Sequence, residues 1–299
     1  MQNIKKVFSG IWGLTALTIV GTGVGTAIDP EAAFSFSITA SNNGNELLDA
    51  ILGDTTGLSD FEIAVSGNPM AVGLFQDDPF SLGSGIVLST GEVEAISGIN
   101  TLDGTTRDGN GRPQSDLSTN FNGRCLPSVN AFLCESTTIE IGFDVADGIE
   151  KIFFNYVFGS EEFLEFGGNG FNDSFELLLN GENLARLSDG QTVSINNLAR
   201  NSQFHRDYID NPVGSQTPTK LDGFTQVLGF EGLLNANERN TLSIKITDVG
   251  DNSFDSAVFI QGKTLGTNPP TQSVREPSLW LGYLWLGAVA YRYQRQKSK

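Results

Sequence analysis

The chain has 299 residues, and its 39% hydrophobic content is enough to bury a sizeable core in one large domain. It carries 35 Asp and Glu against 18 Lys and Arg, and six of those basic residues lie at the two ends, so the middle is strongly acidic. Such a body repels phosphate backbones and anionic lipid headgroups and attracts cations, which excludes nucleic acid as an expected partner.

The N-terminus has the order of a secretory signal peptide. Lys5 and Lys6 precede an apolar run from about Val7 to Val24, and small residues follow. We assign residues 1–33 to this signal, with cleavage near Ala27 or Ala33. The alternative is a retained membrane anchor, although its glycine and threonine residues make the run a poor permanent transmembrane helix.

The segment 34–265 predicts an all-β fold, a β-sandwich of about eleven short strands with one N-terminal helix. The helix covers 45–52, with Asn43 or Asn45 as its cap and Gly53 at its end. Polar and apolar residues alternate in 137–145 and 241–247, whereas continuous apolar runs predict strands buried on both faces. A Gly-rich polar stretch, 100–123, predicts a long surface loop. The continuous runs are 151–158, 174–180 and 256–262, and the further strand candidates are 61–66, 70–75, 85–90, 192–196 and 224–230.

Cysteine usage favours an exported protein. Cys125 and Cys134 are the only two cysteines, and eight residues separate them. In an oxidising compartment they would close a short loop as a disulfide. Metal binding is the weaker alternative, because the chain has no second cysteine pair and a single histidine.

The C-terminus predicts a stalk and an anchor. Residues 266–276 are rich in Pro, Thr and Ser and predict an extended linker. Residues 277–299 contain an apolar run from Leu279 to Tyr291, which is followed by a basic tail. The apolar run is shorter than the roughly 20 residues of a transmembrane helix. This ending resembles the PEP-CTERM sorting signal that an exosortase processes. The motif is degenerate, since Arg275 replaces its first proline.

A family resemblance covers most of the body. The stretches "FNYVFGSEEFLEFGGNGFNDSFELLLNG", "VSINNL", "YIDN", "LDGFTQVL" and "ITDVGDNSFDSAVFIQG" follow one another in this order, after "GSGIVLSTG" at 83–91. Together they resemble the choice-of-anchor L domain over roughly 45–262. The resemblance implies a cell-surface domain that is joined to differing C-terminal anchors. It implies a location and a fold class rather than a reaction.

Acidic and amide side chains crowd two turns that each lead into an apolar strand, "GFNDSFELL" and "NSFDSAVFI". If those strands are neighbours, both turns lie at one edge, where the carboxylates would repel one another unless a cation compensates them. Calcium accepts six to eight oxygen ligands from irregular loops, so we expect it here. We call this set the acidic rim; its residues are Glu161, Glu162, Asn172, Asp173, Asp248, Asp251 and Asp255.

Two alternatives accompany the calcium hypothesis. The rim residues can cap their own turns without a metal. Asp173 and Asp255 can act as acid and base of a glycan hydrolase. Glu161 and Glu162 are a poor catalytic pair, because adjacent residues on a strand point to opposite faces.

His205 is expected to be an exposed loop residue, because no nucleophile motif supports a catalytic triad. The aromatic residues can form either a sugar-stacking platform or core; they are Tyr156, Phe158, Phe163, Phe166 and Phe171.

These features predict an exported, envelope-anchored, non-catalytic surface protein with an adhesion, matrix or recognition role. Its expected partners are an envelope polysaccharide or another surface protein, the membrane through the C-terminal segment, and an exosortase-like processing enzyme. The competing hypotheses are a glycan-acting hydrolase that uses the acidic rim and a purely structural envelope component.

Overall fold

The computed structural model describes residues 36–121, 125–127, 132–201 and 203–270. Over this part of the chain the prediction of an all-β sandwich is confirmed: two antiparallel sheets face one another. The signal peptide predicted for 1–33 and the sorting segment predicted for 277–299 lie outside the described residues.

The strands are more numerous than predicted because several of them have only two or three residues. In chain order they are β1 (Ser37–Ala40), β2 (Leu58–Ser66), β3 (Val72–Gln76), β4 (Ser84–Ser89), β5 (Asp103–Arg107), β6 (Pro113–Ser115), β7 (Leu126–Pro127), β8 (Phe132–Val145), β9 (Lys151–Ser160), β10 (Ser174–Leu179), β11 (Glu182–Asn183), β12 (Ala199–Arg200), β13 (Gln203–Phe204), β14 (Tyr208–Asp210), β15 (Gly223–Thr225), β16 (Leu228–Leu233), β17 (Arg239–Val249) and β18 (Ser256–Gln261). The helices are α1 (Gly44–Ile51) and α2 (Ile195–Leu198), and 3₁₀ turns cover Pro69–Ala71 and Val93–Ile96.

The two sheets differ in how they are covered. The eight-stranded sheet has the order β1-β3-β4-β18-β9-β15-β14, with β16 also paired to β9. The six-stranded sheet has the order β11-β10-β17-β8-β2, with β7 paired to β8. One core fills the space between the sheets, and a second core packs on the outer face of the eight-stranded sheet.

The burial of individual strands follows from these two cores. In β9, Phe158 belongs to the core between the sheets and its neighbour Val157 to the outer core, so the prediction of burial on both faces is confirmed there. In β18, Val258 and Phe259 divide in the same way. The same prediction is wrong for β10, whose buried and half-buried residues alternate because it belongs to the six-stranded sheet.

Helix α1 begins and ends close to its predicted bounds. The side chain of Asn43 accepts a hydrogen bond from the main-chain N–H of Glu46, as a cap does. Two other local predictions are wrong. Residues 192–196 form isolated bridges and the start of α2 instead of a strand, because the hydroxyl of Ser194 caps that helix. Residues 100–123, predicted as a loop, contain the hairpin β5–β6.

The chain leaves the sandwich beside the beginning of β9. Gly266 and Phe153 exchange main-chain hydrogen bonds of 3.0 and 2.8 Å. The N–H of Thr267 then donates to the carbonyl of Asp54 at 2.9 Å, and the amide of Asn268 donates to the Asp54 carboxylate at 2.6 Å. The first residues of the predicted linker are therefore packed against the sandwich.

Candidate metal centre

Part of the acidic rim lies at the end of β9 in the eight-stranded sheet. Ser160, the last residue of β9, pairs with Ser256, the first residue of β18. Glu161 therefore follows one strand where Asp255 precedes its neighbour, and the N–H of Glu161 donates to the carbonyl of Asp255 at 3.1 Å. The sheet pairing alone thus brings these two acidic residues together.

The other part lies at the start of β10 in the six-stranded sheet. Ser174 pairs with Thr247, so Asp173 and Asp248 lie side by side where β10 begins and β17 ends. The N–H of Val249 donates to Oδ1 of Asp173 at 2.9 Å. The two acidic turns are therefore carried by different sheets.

The two parts meet across the sandwich. The Ser256 hydroxyl donates to Oδ2 of Asp173 at 2.6 Å, and the Ser256 and Ser160 hydroxyl oxygens are 2.8 Å apart. The sequence argument placed both turns at one edge on the condition that the strands after them are neighbours in one sheet. This condition is not met, because those strands, β10 and β18, belong to opposite sheets. The turns nevertheless converge, because the sheets face each other and end at the same edge.

Burial makes the charges of the acidic rim costly. Glu161, Glu162, Asp173, Asp248 and Asp255 are each at most 2% exposed. Burial raises the pKa of Glu162 from an ordinary 4.5 to about 11, and the charge of Asp173 adds to the rise. Burial, followed by the charge of Asp173, likewise raises the pKa of Asp248 to about 10. At neutral pH these carboxyl groups either hold protons or need a cation.

Protein donors satisfy some rim oxygens and leave others without a partner. The N–H of Asp116 donates to Oε1 of Glu161 at 2.5 Å, and the N–H of Thr119 donates to both carboxylate oxygens of Asp255. Among the described residues, no partner is found for Oε2 of Glu161, Oε2 of Glu162 or Oδ2 of Asp248. None of the ion pairs formed in this part of the chain involves a rim residue.

Two rim residues accept hydrogen bonds from main-chain N–H groups, one within its own turn and one at a helix. Oδ1 of Asp251 accepts a hydrogen bond from the N–H of Ser253 at 3.1 Å, which is an Asx turn. Oδ1 of Asn172 accepts from the N–H of Asn196 at 2.9 Å, at the beginning of α2. Asp251 still raises the pKa of Glu162 by its charge, so it contributes to the field of the rim.

The carboxylates of the rim do not by themselves form a closed ligand set. In the ranges that the structure describes, no three His, Cys, Asp or Glu side chains are grouped as ligands of one metal ion. A cation bound here would need further oxygen ligands, such as main-chain carbonyls and water, and calcium accepts both.

A cavity of about 730 Å³ borders the acidic rim. Its aromatic wall consists of Phe166, Phe171 and Phe254, whose rings touch with centroids 4.6 to 5.6 Å apart, and Asp251 also lines it. Two of the five aromatics line this cavity, so a sugar-stacking platform stays a prediction for Phe166 and Phe171. The other three are core residues at most 1% exposed: Tyr156, Phe158 and Phe163.

His205 is not the exposed residue that the sequence predicted. Its side chain is 10% exposed and lies between two carboxylates, with Nε2 3.2 Å from Asp189 and Nδ1 3.4 Å from Asp207. The Ser188 hydroxyl donates to Asp207 at 2.6 Å. The aspartate therefore stands between serine and histidine, whereas a catalytic triad needs contact between the serine and the histidine.

The predicted disulfide between Cys125 and Cys134 is present.

Asp222 is an acidic residue that the sequence reasoning did not select. It directly precedes β15, whose first residue, Gly223, pairs with Ser160. Its signal was available, since an Asp followed by a small residue and a buried strand is also the pattern of Asp173 and Asp255.

One family model matches most of the chain. The model of the choice-of-anchor L domain matches residues 37–266, which is more than half of the chain. The chain belongs to the choice-of-anchor L domain family. Membership supports a surface-associated protein, and the acidic rim and the cavity both lie within the matched residues. None of the curated proteins compared with the chain matches it.

Across the described ranges of residues 36–270, no helix has both the length and the apolar character needed to cross a bilayer.

Proposed function

We propose that this choice-of-anchor L domain protein is an exported, envelope-attached, non-catalytic surface protein whose acidic rim binds calcium. Its role is adhesion, matrix assembly or recognition outside the cytoplasm. One observation carries the calcium proposal: three buried carboxylate oxygens, from Glu161, Glu162 and Asp248, have no partner among the described residues. A hard dication that takes oxygen ligands would compensate the charge of these carboxylates once they are ionised.

Attachment is proposed through residues 277–299. Their short apolar run and basic tail fit a membrane segment at the C-terminus. The degenerate PEP-CTERM motif suggests processing by an exosortase-like enzyme, with tail anchorage as the result where cleavage fails. The signal peptide predicted for 1–33 and the disulfide both fit export to an oxidising compartment.

Recognition is proposed at the aromatic cavity. Phe166 and Phe171 are half-buried, so their ring faces remain available to a ligand, while Arg112 and Asp108 line the same cavity. Aromatic rings combined with a few polar groups suit a saccharide or a protein side chain. The proposed partner is an envelope polysaccharide or another surface protein.

The hydrolase hypothesis has weaker support. A catalytic acid and base must reach the glycosidic bond. Asp173 and Asp255 are 1% and 2% exposed, and their carboxylates are occupied by Val249, Ser256 and Thr119. This burial favours a structural role for the pair over a catalytic one.

The calcium proposal is tested by thermal unfolding of the full-length chain with millimolar Ca²⁺ or with a chelator. Calcium at about a hundred times its dissociation constant should raise the midpoint by about 5 to 10 °C. In Asp248→Asn this rise in midpoint should be smaller. In chelator, the variant should be at least as stable as the parent, because it lacks one buried charge. Glu182→Gln, an exposed change of equal charge on β11, is the matched control.

A parent chain whose midpoint is the same in Ca²⁺ and in chelator would contradict the metal proposal. A rise that Asp248→Asn leaves intact would place the calcium elsewhere in the chain.

A further inference from the structure

Asn-Gly pairs are the positions at which an asparagine side chain most readily reacts with its own main chain, because glycine has no Cβ to hinder the approach. The reaction requires that the main-chain N–H of the glycine is free and that the asparagine amide can turn toward it. The described residues contain four such pairs, and a fifth, at 122–123, lies outside them. The four are Asn43–Gly44, Asn110–Gly111, Asn169–Gly170 and Asn180–Gly181.

Two of these pairs are held at one of the reacting groups. The side chain of Asn43 caps α1, where its Oδ1 accepts a hydrogen bond from the N–H of Glu46. The N–H of Gly111 donates to the carbonyl of Asp108 at 3.0 Å, so the attacking nitrogen of that pair is already engaged. Each reaction would first have to break a hydrogen bond of the fold.

The pair Asn180–Gly181 forms the turn between β10 and β11, and its amide is held at both polar atoms. Nδ2 of Asn180 donates to Oδ1 of Asn240 at 2.8 Å, and Oδ1 of Asn180 accepts from the N–H of Thr241 at 3.0 Å. The amide carbon can turn toward the nitrogen of Gly181 only after both hydrogen bonds break.

The pair Asn169–Gly170 differs from the other three. Both of its residues are exposed. Among the described residues, the N–H of Gly170 has no hydrogen-bond partner. The Asn169 side chain makes one hydrogen bond, from Nδ2 to the carbonyl of Glu165, and at 3.3 Å it is longer than the two that hold Asn180. Both reacting groups are thus accessible at this pair alone of the four.

We propose that Asn169 is a modification site, at which the folded chain deamidates spontaneously. The nitrogen of Gly170 loses its proton to hydroxide and attacks Cγ of Asn169, the Cγ–Nδ2 bond breaks, and ammonia leaves with a proton from water. Water then opens the resulting cyclic imide. Opening at Cγ gives aspartate, whereas opening at the main-chain carbonyl gives isoaspartate, in which the chain continues through Cγ.

The product would change the aromatic cavity. The N–H of Asn169 donates to the carbonyl of Phe166 at 3.0 Å, and Phe171 follows Gly170 directly. Phe166 and Phe171 both line the cavity, so the new carboxylate lies on the segment that joins two residues of its wall. Isoaspartate also lengthens the main chain of this segment by a methylene group. An effect on recognition rests on the function proposed for the cavity, whereas the reaction itself does not.

A substitution at Gly170 can remove the reactivity without disturbing the fold. A methyl group at Gly170 would meet no atom beyond its chain neighbours within 4 Å. Gly170→Ala should therefore fold like the parent, while its methyl group hinders the attack of the nitrogen and slows deamidation of Asn169 by about tenfold or more. Gly109→Ala is the matched control, because a methyl group there is equally free of contacts and the preceding residue is Asp108 rather than an asparagine.

The experiment incubates the full-length chain near neutral pH, folded or in denaturant, and follows each asparagine by tandem mass spectrometry after tryptic digestion at mildly acidic pH. Cleavage after Lys151 and Arg186 gives one peptide that contains both Asn169 and Asn180, so the two pairs are compared in the same spectrum. In the folded chain Asn169 should deamidate at least about tenfold faster than Asn180, which must first lose two hydrogen bonds. In denaturant the two rates should agree within about twofold, because the fold no longer holds either side chain.

The rate at Asn169 in the folded chain should rise with pH and should be unchanged in Gly109→Ala. Equal rates at Asn169 and Asn180 in the folded chain overturn the proposal, as does a folded chain that stays unmodified at Asn169 while the denatured chain reacts. A rate that is the same in Gly170→Ala and in the parent overturns it as well. Neither calcium nor a ligand takes part in the measurement, so a failure of the proposed function would leave its result unchanged.

Discussion

The hydroxyl of Ser256 donates a 2.6 Å hydrogen bond to Oδ2 of Asp173, and this contact joins the two sheets at the acidic end of the sandwich. Ser256 is the first residue of β18 in one sheet, and Asp173 directly precedes β10 in the other. Both residues are buried. The contact uses one residue of each Asp-Ser pair: the aspartate that precedes β10 accepts from the serine that begins β18.

Removal of this contact should destabilise the sandwich. Ser256→Ala takes a donor away from a buried carboxylate, and we expect a loss of about 1.5 to 3 kcal/mol in the free energy of unfolding. Denaturant unfolding measures it. Ser59→Ala, at an exposed residue of β2, should stay within about 0.5 kcal/mol of the parent. Equal losses in the two variants would show that the contact does not hold the sheets together.

Without calcium, the stability of the domain should fall as the pH rises. Burial raises the pKa of Glu161 to about 9, of Asp248 to about 10 and of Glu162 to about 11 in the folded chain. Their stabilising contribution is therefore complete below the ordinary pKa near 4.5 and is lost as the pH rises through the folded values. Unfolding midpoints in chelator should decrease between about pH 5 and pH 9.

Calcium should flatten this pH dependence, because a bound cation favours the ionised carboxylates. Glu162→Gln should flatten it in chelator as well, since it removes the group with the highest of these pKa values. A midpoint that increases with pH in chelator would contradict the assignment of buried, protonated carboxyl groups.

The aromatic cavity should account for ligand binding. Phe171→Ala removes part of its wall, and we expect affinity for an envelope polysaccharide or protein partner to fall by about threefold to tenfold. Binding arrays of glycans and surface proteins, with and without Ca²⁺, measure this. Phe204→Ala is the matched control, since Phe204 is 53% exposed and does not line the cavity. Equal binding by the parent and Phe171→Ala would rule the cavity out.

The C-terminal segment should determine where the protein is found. Deletion of residues 277–299 should release the protein from cells into the medium, as immunoblots of the two fractions would show. Arg275→Pro restores the first proline of the PEP-CTERM motif and should increase the share of a shorter, processed form. Cells that retain the deleted chain would show that another part of the molecule attaches it.

The sequence was sufficient to predict the main strands, because side-chain alternation and continuous apolar runs reflect burial directly. It failed where a polar side chain decides the local structure. Residues 192–196 look like a strand, yet the Ser194 hydroxyl caps a short helix there. The hairpin β5–β6 has almost no apolar pattern, so composition alone assigned it to a loop.

The candidate sites were predicted in part. The density of carboxylates near Glu161 and Asp173 is visible in the sequence, but their meeting across two sheets depends on strand order, which no local pattern specifies.

The exit of the chain beside Phe153 lies at the opposite end of β9 from the acidic rim. Phe153 lies near the start of β9, whereas Glu161 follows its end, about 25 Å farther along the strand. A protein tethered through its C-terminus would thus stand with its carboxylate-rich end turned outward, toward the medium. There it would meet dissolved calcium and neighbouring cells before any other part of the sandwich does.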